Sequence, residues 1–168
     1  MRDLTRVNAK EPAYRFLTKQ DVEVFTPLTK RLIVKAGKKS LEEVPFIHDL
    51  LFVHSSREAL DPIVNKKRTL QYRYIFGGFC EPMVVPTAEM EKFICAVRST
   101  EAPRYYLPEE VTPQMYGHKI RIVGGNLDGY EGNLITTRGS KTKRLLVEIP
   151  GILFAGVEVE PDFLQILN

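Results

Sequence analysis

The apolar positions of the first half of the chain change period repeatedly, and each change marks an element. Ala9, Ala13, Phe16 and Leu17 recur at helical spacing. Asn8 stands at the cap position with Glu11 three residues on, a capping box, and Pro12 is early enough in the first turn to be tolerated. The pattern predicts an amphipathic helix ending near Gln20. Val22 to Phe25 then reads as a strand, and the basic, turn-prone stretch from Lys30 to Lys39 as a projecting hairpin. Leu50, Leu51, Phe52 and Val53 are apolar at every position, which in a strand makes both faces apolar; one can be core and the other must meet something. Ser55 and Glu58 form a second capping box, opening a short helix to about Lys66, and 70–76 returns as a strand ending in Gly77-Gly78. Thr87 is the expected cap of a last helix, in which Met90, Phe93, Ile94 and Val97 form one stripe. Strands and helices in this order predict an α+β fold, a sheet with helices packed on it.

The second half is different. STEAPRYYLPEEVTPQMYG, residues 99–117, holds three prolines and no sustained period, so it reads as a linker. Beyond it apolar residues alternate: Leu145, Val147 and Ile149, then Leu153, Ala155, Val157 and Val159, with Ile120, Ile122 and Leu134 on the opposing strands. Short strands joined by Gly and Pro turns predict a small closed barrel.

Bulk properties narrow the classes of function. A net charge of +3 over 168 residues permits nucleic acid as a partner without requiring it. Cys80 and Cys95 form neither a disulfide framework nor a zinc pattern, which fits a reducing compartment, and the sequence shows no membrane-spanning run or signal-peptide pattern; a soluble, intracellular protein is expected. His48, Asp49 and His54 invite a metal or acid-base reading, yet in a continuous strand 48 and 54 would lie roughly 20 Å apart at about 3.3 Å per residue. His118 is isolated, and no nucleophile elbow or H-E-x-x-H is present, so no cofactor, metal or enzymatic activity is expected. IRIVGGNLDGYEG, 120–132, carries four glycines but neither phosphate-loop spacing, and a strand rather than a helix follows it. Gly139-Ser140-Lys141-Thr142 has a Walker-like ending, but Leu134 stands where the leading glycine would be. The glycines are better explained as residues that shape a turn.

GHKIRIVGGNLDGYEGNLITTRGSKTKRLLVEI, 117–149, resembles a KOW motif, in which Gly124, Gly125, Gly129 and Gly132 shape the turn. PFIHDLLFVHS, 45–55, and GGFCEPMVVPTAEM, 77–90, resemble the corresponding segments of NusG-type N-terminal domains. Nearly the whole chain is similar to NusG paralogues, closest to the UpxY-like antiterminators that Bacteroides-type bacteria use on surface-polysaccharide operons. One departure stands out: the family usually opens its first strand with an aromatic pair, whereas this chain has no Trp and begins Met1-Arg2-Asp3-Leu4. The expectation is a first strand that is short or begins upstream.

The resemblance implies a NusG-like N-terminal sheet with packed helices over 1–100, a linker over 101–116, and an SH3-like KOW barrel over 117–168. It implies a non-enzymatic transcription elongation and antitermination factor, bacterial and cytoplasmic, nucleoid-associated through RNA polymerase, and a monomer. The N-terminal domain would bind the clamp helices of the polymerase's largest subunit. By motif match the contact falls on Phe46, Ile47, Leu50 and Phe52, with Tyr74 from the next strand, though for any single one the core reading outweighs it, since apolar strand residues are most often buried in their own domain. Lys30, Arg31, Lys35, Lys38 and Lys39 of the basic hairpin are candidates for non-template DNA or nascent RNA, where positive side chains follow phosphates; as a solvated face they need no partner. Arg138, Lys141, Lys143 and Arg144 gather around one turn of the barrel, where RNA or a protein partner could use them and ordinary surface decoration is the default; the barrel itself would recruit a further protein. The alternative is a KOW module that binds structured RNA in association with the ribosome or translation, whose expected signature is a stronger positive excess than 24 basic against 21 acidic residues.

Overall fold

The computed structural model describes residues 1–6, 9–35, 37–135 and 142–167, with Lys35 described by its backbone alone. The Asn8 cap and the 136–141 stretch with Arg138 and Lys141 lie outside these. The chain divides into two compact units, Met1–Val84 and Val85–Asn168.

The first unit runs β1 (Arg2–Asp3), α1 (Ala13–Thr18), β2 (Glu23–Phe25), β3 (Leu28–Lys35), β4 (Lys38–Pro45), β5 (Phe52–His54), α2 (Arg57–Lys66) and β6 (Leu70–Gln71). Among the described residues its strands pair two by two, all antiparallel: β1 with β6, β2 with β5, β3 with β4. The expected single sheet is therefore resolved into ribbons. One reason is Pro27, buried between β2 and β3 and without an N–H to donate to a continuous ladder. A second is that the 70–76 strand stops at Gln71. The N–H groups of Met83 and Ile75 donate to the carbonyls of Arg73 (2.7 Å) and Glu81 (3.0 Å), so this segment folds back into a hairpin of its own.

Helix α1 begins later than the capping box predicts. Six residues are too few to be helical alone, and its start is set from a distance: the Asp3 carboxylate, 4% exposed, accepts the Ala13 N–H at 2.7 Å. Its other oxygen accepts the Thr5 N–H at 2.9 Å and the Thr5 hydroxyl. Glu11, expected in the cap, instead pairs with Lys19 at 2.6 Å, and that ammonium holds its carboxyl below the usual range. In α2 the cap is Ser56 rather than Ser55; its hydroxyl accepts the Ala59 N–H at 3.3 Å. The two helices bury Ala13 and Leu17, with Ile63 and Val64, against Leu51, Leu70, Val24 and Val53.

The second unit opens with α3 (Thr87–Arg98), whose cap position is Pro86, with Thr87 as its first residue. Strands β7 (Arg104–Tyr106), β8 (Tyr116–Ile122), β9 (Glu131–Ile135), β10 (Arg144–Ile149), β11 (Leu153–Glu158) and β12 (Leu164–Ile166) follow. They form one antiparallel sheet in the order β12-β8-β9-β10-β11-β7. The segment read as a linker thus contributes β7, in which Tyr105 and Tyr106 pair with Ala155 and Phe154. The expected parity is present: Leu145, Val147, Ile149, Leu153, Ala155 and Val157 are all buried. The opposite face is also apolar, since Ile135, Leu146 and Phe154 pack under Tyr106 and Val111. Arg144 is not on the surface; it is 5% exposed and ion-paired with Glu158.

Two substitutions test this account. Asp3→Ala leaves the Ala13 N–H without its acceptor and should cost about 1–3 kcal/mol in chemical denaturation, with amide exchange accelerated first in α1. Gly132→Ala would place a Cβ 2.8 Å from the Leu146 carbonyl oxygen, forcing β9 away from β10. A loss of about 1–3 kcal/mol is expected; an unchanged midpoint in either variant would refute the corresponding contact.

Candidate partner-binding surfaces

Strand β5 separates two environments. Leu51 and Val53 belong to the layer under α1 and α2. Phe52, of opposite parity, meets Phe25 of β2 with ring centroids 6.2 Å apart. Phe46, Ile47 and Phe52 are half-buried, whereas Leu50 is 3% exposed and belongs to the interior. Tyr74 is exposed, bridged to Pro82, with its ring 6.4 Å from that of Tyr72. The Tyr72 hydroxyl in turn donates to Asp61 of α2 at 2.8 Å, anchoring the base of the 73–83 hairpin.

That hairpin bears a surface the motif reading passed over. Phe76 and Phe79 at its tip are fully exposed, and Ile75, Met83 and Val84 lie open beside them. Gly77, between the two phenylalanines, and Cys80, just after the second, adopt positive φ and turn the tip. The signal was in the sequence as an apolar run interrupted by Gly77-Gly78, but reading 70–76 as a sheet strand hid it.

The basic hairpin exists as β3–β4, and its register decides how the charges are distributed. Lys30 lies opposite Glu43, Arg31 opposite Glu42, and Lys35 opposite Lys38. Lys30 and Lys39 share a face with Leu32, Val34 and Leu41, each at least 60% exposed. Arg31 and Lys38 stand on the other face. The five cations therefore do not form one stripe.

In the second unit the glycines divide by role. Gly124 (φ 100°), Gly125 and Gly129 turn the chain between β8 and β9, and the ring of Phe163 covers Gly124. Gly132 lies within β9, where close approach of β10 rather than turning excludes a side chain. Helix α3 packs on β10 and β11 and buries Phe93, Ala96 and Val97. Tyr130 fixes its outer side: the hydroxyl donates to the Lys92 carbonyl at 2.9 Å, while the Lys92 ammonium sits 5.0 Å from the ring centroid. Beside this contact a cavity of about 340 Å³ is lined by Glu89, Lys92, Tyr116, Glu131, Asn133 and Phe154 among others. Arg121 engages Glu131 and holds its carboxyl below the usual range.

His48 and His54 make separate contacts. His48 Nε2 lies 2.6 Å from the Thr5 carbonyl, and His54 Nδ1 lies 2.9 Å from Glu23. Among the described residues no three His, Cys, Asp or Glu side chains gather as metal ligands, and no helix is long and apolar enough to cross a membrane.

Comparison with known families finds a match to the model described as "NusG: Transcription termination factor nusG", over residues 4–94, more than half of the chain. The match contains the whole β5 surface and ends inside α3. A search of curated proteins returns no match.

Alkaline titration tests the tyrosine environments. Burial pushes Tyr105 up to about 12, and burial first, with Asp61 or Cys95 adding to it, does the same for Tyr72 and Tyr130. Because these values exceed the ordinary 10, the stability they confer is present below pH 10 and is lost as pH rises through 12. Tyrosinate absorbance should show three of the seven tyrosines titrating near 12 in the folded chain. Tyr130→Phe should remove one of them and speed amide exchange in α3.

Proposed function

Because the chain belongs to the NusG family of transcription factors, we propose that it is an elongation and antitermination factor that grips RNA polymerase with the face of β5 turned away from the helices. Factors of this family bind RNA polymerase. The observation that carries the residue-level reading is the family match across 4–94, which contains Phe46, Ile47, Leu50, Phe52 and Tyr74 together. Phe46, Ile47 and Phe52 receive the clamp helices of the largest subunit, as an apolar groove receives a helix. Leu50 supports that surface from beneath, and Tyr74 extends it.

The mechanism is one of linkage. A factor that binds elongating polymerase more tightly than paused polymerase shifts the equilibrium towards elongation by its difference in affinity, with no chemistry of its own. Lys30, Arg31, Lys35, Lys38 and Lys39 offer charge to the phosphates of non-template DNA or nascent RNA from two faces of β3–β4. The second unit's sheet, with its glycine turn, is an SH3-like KOW barrel that recruits a further protein, and the connection to the first unit raises its effective concentration at polymerase. The likeness of nearly the whole chain to UpxY-like paralogues supports a specialised factor serving long surface-polysaccharide operons.

The test is capture of bacterial core RNA polymerase by the full chain. Ile47→Asp and Tyr74→Asp, at positions outside the core, should each weaken capture about tenfold or more, as loss of an anchor residue does, with circular dichroism unchanged. Leu50→Asp does not serve, since a buried charge unfolds the unit it is meant to probe. A folded wild-type chain that fails to capture polymerase would sink the proposal, and salt-sensitive RNA binding in its place would establish the RNA-module alternative.

A further inference from the structure

The polymerase reading draws on the lysines of β4 but leaves its open backbone edge, Leu41 and Glu43 unused. Residues Lys38–Pro45 pair with β3 on one side, and among the described residues no third strand pairs on the other. A two-stranded ribbon is marginal in water, and an unpaired edge is a template for another strand. Proteins commonly protect such edges with lysines, because any self-pairing then sets like charges against each other. Strand β4 defeats that protection. Its exposed face reads Lys39, Leu41, Glu43, with an acid two positions to one side of Leu41 and a base two positions to the other. Among the described residues neither Lys39 nor Glu43 is engaged in an ion pair.

We propose that β4 pairs antiparallel with β4 of a second copy of this chain, about a two-fold axis through Leu41, so that each Lys39 meets the other copy's Glu43. In an antiparallel pair related by an axis normal to the sheet, opposed residues share a face and their order reverses. Leu41 then lies against Leu41, and Lys39 against Glu43 twice. The rows continue across the ribbon, since Leu32 is opposite Leu41 and Lys30 opposite Glu43. The resulting four-stranded sheet has a central row of four leucines, flanked on each side by Lys30, Glu43 and Lys39. Strand β3 does not offer this: it carries Lys30, Arg31 and Lys35 and no acid. Leu32, Leu41 and Val34, 62%, 65% and 60% exposed, supply the apolar rows that such cross-strand pairs use. One strand pair is a small contact, so the association is weak and concentration-dependent. It occupies Lys39 and the hairpin edge, and a copy engaged this way has that edge closed to any other strand.

Sedimentation equilibrium of the full chain, up to about 1 mM, the weak end of measurable association, should show reversible dimerisation that weakens with salt. Lys39→Glu and Glu43→Lys each place like charges opposite one another twice and should each weaken self-association about tenfold or more. Mixed in equal amounts, the two variants should associate with each other as tightly as wild type does with itself, because every opposed pair is again Lys against Glu. Both positions are exposed, and unchanged circular dichroism would confirm that the variants fold. A wild-type chain that is monomeric throughout, single variants that dimerise normally, or a mixture that stays monomeric would each overturn the proposal; association surviving both single variants would place the contact on another surface, with the bare Phe76 and Phe79 hairpin the next to test.

Discussion

The first unit depends on a thin apolar layer in which Ala13, Leu17, Leu51 and Leu70 meet beneath two short helices. Its strands supply little by themselves: β1–β6 and β2–β5 have two and three residue pairs, and even the eight-pair β3–β4 ribbon is marginal alone in water. Helix α1 is equally dependent, being under two turns long. The buried Asp3 carboxylate joins these weak parts. It ties the first strand to the first turn of α1, so the residue that pairs with Leu70 also positions the helix that covers Leu70. Phe46, Ile47 and Phe52 lie outside this layer and are half-buried.

Much of this organisation was legible in the sequence, and what was not has definite causes. Parity along 145–157 was readable because alternation in a strand reports burial directly. The unbroken run Leu50 to Val53 correctly announced two apolar environments, one on each side. By contrast, the start of α1 was set by Asp3, ten residues upstream of Ala13, and a local capping rule cannot see such a contact. Arg144 read as surface decoration because a cation beside a turn usually is; Glu158, fourteen residues on, makes its burial tolerable. The strand expected over 70–76 carried the right residue types, but hydrogen bonds to 81–83 drew it into a hairpin. No periodicity in 70–76 distinguishes a sheet partner from a neighbour a few residues later.

The charged hairpin shows why a count of cations is a poor guide to a surface. Five basic residues within ten positions look like one patch, yet the register of β3 and β4 sends them to two faces and sets acids opposite two of them. What the arrangement offers any partner, nucleic acid or protein, is a pattern of signs in rows. Such patterns govern the orientation of an encounter and the exclusion of wrong partners more than the strength of binding.

Helix α3 raises a question of inheritance. By sequence much of it lies inside the matched 4–94 segment, but by packing it belongs with the sheet of the second unit, where Phe93, Ala96 and Val97 are buried and Tyr130 holds its outer side. If paralogues exchange C-terminal modules by recombination, a crossover between α3 and β8 would separate the helix from the sheet it lies on and bare three apolar side chains. The second compact unit begins near Val85, so a breakpoint that keeps it whole falls before the last helix of the matched segment rather than after it.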